Sequence, residues 1–172
     1  MAKVITVSRK FPSHHPRKGE PTYFVEKILH DRPCIQMVNL KELVKEYDVV
    51  LEKYEEDFAP KGHTIRKVNP LSKRGKRWKT GDLASLRFWS AKPYYSPQVT
   101  FTTDIPIKVF DLYMCLSERY IEIDGKIHFA DFDATIEKLA TNDGLTVEDF
   151  KAWFGDDYIE CQIIIWNEDI TY

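Results

Sequence analysis

Cysteine is scarce in this chain. Its three thiols, Cys34, Cys115 and Cys161, are far apart and odd in number. No Cys-x-x-Cys pair occurs, which excludes zinc ribbons and dithiol redox motifs. Cys115 and Cys161 lie in apolar stretches, where a free thiol packs as a small hydrophobe. This usage suits a reducing compartment and points to the cytoplasm. Long apolar runs are missing too. None approaches the ~18 residues needed to span a bilayer, and no N-terminal run resembles a signal peptide. No membrane partner is expected, and the sequence leaves any protein partner open. Repeats and low-complexity segments are absent. His14, His15 and His63 match no metal-ligand spacing. No metal or other cofactor is expected, and His14 and His15 read as exposed loop residues.

What the chain does have is charge in one place. Of its 172 residues, those from 61 to 92 include Lys61, Arg66, Lys67, Lys73, Arg74, Lys76, Arg77, Lys79, Arg87 and Lys92 against Asp82 alone. The formal net charge of the whole chain is only −2, because the C-terminal half is strongly acidic. That asymmetry disfavours non-specific coating of DNA and favours a localised basic groove. The length fits a single domain, residues 1–172, with a buried core.

Hydrophobic periodicity outlines the elements. Val4 to Ser8 reads as a strand. Phe24, Val25, Ile28 and Leu29 share one helix face, with Thr22 as a candidate cap. Leu40 to Tyr54 repeats at helical spacing. Leu83 to Ser90, Val99 to Thr103 and Ile107 to Leu116 are β-rich. Arg119 to Ile123 and Lys126 to Ala130 flank Asp124-Gly125, a hairpin signal. A helix is expected from Asp131 to about Asn142. Another follows Thr146, where Thr146 and Asp149 resemble a capping box. Tyr158 to Trp166 is apolar throughout and reads as a central strand. The result is an α+β fold with a mostly antiparallel sheet, closing plausibly into a small barrel.

Two motifs stand out, Lys61-x-x-Thr64-x-Arg66 and Trp78-Lys79-Thr80-Gly81-Asp82. With the Phe24 helix before them and the run from Ala140 to Lys151 after them, the chain resembles the ASCH domains of the PUA-like superfamily. In particular it is similar to the small bacterial N4-acetylcytidine amidohydrolases. The resemblance spans most of the chain, with identities clustered in the motifs. It implies a PUA-like, small, mostly antiparallel β-barrel with flanking helices. It also implies a cleft for RNA or a modified nucleoside, with Lys61, Thr64 and Asp143 as the catalytic positions. Three departures are visible. Asp143 stands where those hydrolases carry Glu, which pulls the carboxyl back by roughly 1–1.5 Å, and small misplacements are costly in rate. Ala59-Pro60 replace the glycine before the lysine. A helical segment of about 31–59 is inserted.

The chemistry suits those residue types. Thr64 Oγ1 could attack an acyl carbonyl if Lys61 accepts its proton, which requires a lysine pKa well below ~10.4. Arg66 and the surrounding basic run favour that depression. Arg66, Lys79, Trp89, Lys92 and Tyr94 are the candidate ligand contacts, with Trp89 and Tyr94 as a stacking platform for a base. Lys73, Arg74, Lys76 and Arg77 are the candidate nucleic-acid contacts. His63 is either a ligand contact or an inert position between Lys61 and Thr64. The alternative function is a non-catalytic RNA-binding module, or a protein-interaction module using the helix at 40–56.

Overall fold

A computed structural model describes residues 2–31, 60–69 and 77–172. The expected insertion from 32 to 59 lies outside the described residues, as do Cys34, Lys73, Arg74 and Lys76.

The described elements run in the order β1 (Lys3–Thr6), α1 (Phe24–Asp31), β2 (His63–Lys67), β3 (Leu83–Trp89), β4 (Gln98–Pro106), β5 (Lys108–Cys115), β6 (Tyr120–Ile123), β7 (Lys126–Ile127), α2 (Phe132–Asn142), α3 (Val147–Phe154) and β8 (Ile159–Ile165). They form an α+β fold with two sheets. One has the strand order β1-β3-β4, and the other β2-β8-β5-β6-β7. All pairings are antiparallel except β1 with β3. Among the described residues the two sheets do not close into one barrel.

β8 is central, with β2 on one side and β5 on the other. Both faces of the strand are covered, which is why Ile163, Ile164 and Ile165 are consecutive and all buried. The Asp124-Gly125 pair turns β6 into β7 with positive φ at both residues, as a two-residue hairpin requires. In α1 the face made by Phe24, Val25, Ile28 and Leu29 is buried in the core, and α2 contributes Ile136, Leu139 and Ala140.

Three local expectations need correction. Thr22 does not cap α1. Its hydroxyl donates to the Ser8 carbonyl at 2.6 Å, and Tyr23, at φ 55°, precedes the first helical residue. The Thr146 box is half made. Thr146 Oγ1 accepts from the Asp149 amide, but the Asp149 carboxylate turns away to Arg17 at 2.7 Å. His14 is exposed, whereas His15 is buried. The His15 ring stacks on Phe11 at 4.4 Å, and its Nε2 lies 3.1 Å from the Asp149 carbonyl. These contacts tie the loop from 9 to 22 onto α3.

Candidate functional site

Lys61 and Asp143 lie 82 positions apart in sequence and meet at the base of a cleft. Backbone pairing brings them together. They form an isolated antiparallel bridge, and the Gly62 amide donates to the Asn142 carbonyl at 2.9 Å. Trp166 fixes the other side. Its indole donates to the Lys61 carbonyl and its amide to the Gly62 carbonyl, both at 3.1 Å. Gly144 makes the approach possible. Its φ is +71°, and a Cβ there would stand 3.1 Å from Lys61 Cβ.

The Lys61 side chain is 1% exposed and Asp143 5%. Lys61 Nζ donates to the Asp143 carbonyl at 2.8 Å and to Asp143 Oδ1. It also sits over the face of Phe24, 4.0 Å from the ring centre. Burial pushes the Lys61 pKa down, and Arg66 pushes it the same way, against the pull of Asp143. Burial pushes the Asp143 pKa up, against Lys61 and Arg66. The two shifts favour the same event, transfer of one proton from the ammonium to the carboxylate within the pair.

Beneath the pair lies His63, which is fully buried. Its pKa is held well below the usual range by burial and by Lys61, so the ring is neutral. Asn142 Nδ2 donates to Tyr172 Oη at 3.0 Å, and Tyr172 Oη lies 2.8 Å from His63 Nδ1. His63 Nε2 lies 4.0 Å from Asp143 Oδ1 and has no hydrogen-bond partner among the described residues. No cluster of three metal-ligating side chains occurs among the described residues.

The cleft above the pair has a volume of about 1170 Å³. Lys61, Thr64 and Asp143 line it, together with Arg66, Trp89, Lys92 and Tyr94. The structure thus brings seven of the residues singled out from sequence to one cavity. β2 supplies Thr64 and Arg66. Arg66 Nη2 donates to the Thr6 carbonyl at 2.5 Å, which tethers the guanidinium to β1. Trp89, at the end of β3, and Tyr94, in the following turn, have ring centres 5.4 Å apart. Tyr94 is 86% exposed, and Lys92 lies over the neighbouring Tyr95 ring at 4.5 Å. Phe88 alternates inward and is buried.

No family model, curated protein or solved structure matches this chain.

Lys79 is the exception among the described candidates, since it lines neither this cleft nor the cavity beside it. Its motif builds a turn. The Lys79 amide donates to Asp82, whose carboxylate pairs with Lys3. Thr80 Oγ1 accepts from the Val109 amide at 2.9 Å, and Gly81 at φ +90° closes onto Ile107. The motif thus sets where β5 begins. Arg77 lines the adjoining cavity instead.

Sequence reasoning left out several residues of the site. Phe24 was legible only as a core helix position, but its ring faces the Lys61 ammonium as well. Phe11 and Trp153 line the cleft because the loop from 9 to 22 packs on α3. Asn142 and Tyr172 carry no local pattern, and only tertiary contact reveals them.

Proposed function

We propose that this protein is an ASCH-type, PUA-like domain that binds a modified cytidine-type nucleoside, free or within RNA, and hydrolyses its N-acyl amide. The observation that carries the reading is a buried Lys61–Asp143 pair lining the same cleft as Thr64, Trp89 and Tyr94. The Glu-to-Asp departure is offset by the backbone. The Lys61–Asp143 bridge and the close approach at Gly144 bring the shorter carboxylate onto the amine.

One proton moves from Lys61 to Asp143, without change in the charge of the pair. The neutral amine takes the Thr64 hydroxyl proton as Oγ1 attacks the acyl carbonyl. The tetrahedral intermediate collapses, the carbon–nitrogen bond breaks, and the leaving nitrogen takes a proton from Lys61. Water then cleaves the threonyl ester, losing a proton to Lys61, and Thr64 regains its own. The carboxylic acid and the free base leave. Trp89 and Tyr94 grip the base, since aromatic faces stack on any heterocycle.

The test is incubation with N4-acetylcytidine, with deacetylation followed by chromatography. The wild-type protein is expected to turn over, and Lys61→Ala and Thr64→Ala to lose that activity. Undiminished turnover by Thr64→Ala removes the nucleophile. Absence of turnover in the wild type removes this substrate and moves the reading to RNA binding without catalysis.

A further inference from the structure

A second cavity of about 410 Å³ adjoins the cleft. Thr6, Arg66 and Tyr94 line both spaces, so they form the threshold between them. Beyond it stands Arg77, and no carboxylate is among the described lining residues. Two guanidinium groups therefore border one small space, whereas the Lys67 side chain alternates to the other face of β2 and carries its ammonium to the Phe154 carbonyl, at 3.4 Å, outside that space. Among the described residues neither guanidinium is in an ion pair. Arg66 is tied to a backbone carbonyl, and Arg77 lies over the Trp78 ring at 5.1 Å. Burial lowers the Arg66 pKa, Asp143 pulls against it, and Arg77 adds to the lowering. An anion bound in this space makes charge-assisted hydrogen bonds to both guanidinium groups.

The wall behind them is built, not incidental. Gln162, buried on β8, accepts from the Trp78 amide at 3.2 Å and donates to the Trp78 carbonyl at 3.1 Å. That bidentate clasp fixes the backbone next to Arg77. Lys3 takes the Arg77 carbonyl at 2.8 Å. The position of Arg77 is thus set by two independent strands.

We propose that this second cavity is a phosphate subsite, so the preferred ligand is a phosphorylated nucleoside and not the bare nucleoside. The inference rests on the nucleoside reading of the main cleft. A base stacked on the exposed Tyr94 ring, which lines both spaces, puts its sugar near the threshold, and a phosphate on that sugar enters the space lined by Arg66 and Arg77. A terminal phosphate of a mononucleotide and a diester within RNA share the chemistry.

The test is a calorimetric comparison of cytidine, cytidine 5′-monophosphate and the dinucleotide ApC at low and moderate salt. The monophosphate is expected to bind at least about tenfold more tightly than cytidine, with an advantage that shrinks as salt rises. Arg77→Ala is expected to bring the affinity ratio toward one, whereas Lys67→Ala should leave it unchanged. Arg77→Lys should keep part of it, because the charge remains and the fork does not. An advantage kept by ApC identifies an RNA chain as the ligand, and one confined to the monophosphate identifies a nucleotide. Either result supports the subsite. Equal affinity for cytidine and its monophosphate, including failure of both to bind, overturns it. Turnover of N4-acetylcytidine is a separate readout. It can persist when the phosphate preference fails, so the two readings fail separately.

Discussion

The base of the cleft and its rim are built on opposite principles. At the base, Lys61, His63 and Asp143 are almost without solvent contact, and each is held by groups from distant parts of the chain. At the rim, Tyr94 and Tyr95 are mostly exposed on a turn held by local bonds from Lys92 to Ser96. Burial at the base lowers the Lys61 pKa and raises that of Asp143. Exposure lets the rim meet a ligand. Chemistry and grip are thus separated in space, and stability is invested in only one of them.

Changes at the base should therefore damage stability and activity together. Lys61→Ala leaves Asp143 buried without its partner, which costs about 3–5 kcal/mol. Urea denaturation should show the loss as a lower midpoint, alongside vanished turnover. Replacing both members, Lys61→Met with Asp143→Leu, should recover much of the stability and none of the activity. A stable, active Lys61→Ala protein would dissolve the distinction between base and rim.

Gly144→Ala comes next. The residue would be forced to hold φ +71° with its Cβ against Lys61 and Lys27. A loss of about 1–3 kcal/mol is expected, read as a fall in Tm. An unchanged Tm would mean that the close approach is unimportant.

Tyr94→Ala sharpens the comparison from the other side. Loss of one stacked base costs about 1–3 kcal/mol of binding, so KM or Kd should rise while Tm stays put. A drop in Tm would show the rim to be structural.

A further effect is in pH dependence. Burial lowers the Lys27 pKa to about 8, from 10.5, with Lys61 adding to it. Between those values the unfolded chain holds a proton that the folded chain has released. Stability then rises with pH across that window. Comparison of wild type with Lys27→Gln between pH 8 and 10 should show the variant with the flatter rise.

The sequence made much of this legible, for identifiable reasons. β8 announced itself as central because an unbroken apolar run fits a strand covered on both faces. The Asp124-Gly125 turn followed from φ requirements. Lys61, Thr64 and Asp143 were legible as a constellation through a family resemblance, and their meeting depends on a backbone bridge that no local pattern encodes. Periodicity tells which side chains are buried but not which strands pair. That is why two separate sheets, and the parallel pairing of β1 with β3, could not be read in advance. His15 looked exposed because polar, proline-rich loops usually are. Its burial depends on Phe11 and Asp149, the second far away in sequence. Lys79 lies outside both cavities, because the backbone of its motif shapes a turn.

Among the described strands, β2 pairs with β8 alone, nearly a hundred residues later. Closing so long a loop is entropically expensive, so contacts of this kind form late in folding. Until β8 arrives, β2 is an unpaired strand, and Lys61 is an ordinary hydrated lysine. The buried pair thus comes into being only with the completed sheet. A partly folded chain, or a fragment ending before β8, has the residues but none of the desolvation that would make them reactive.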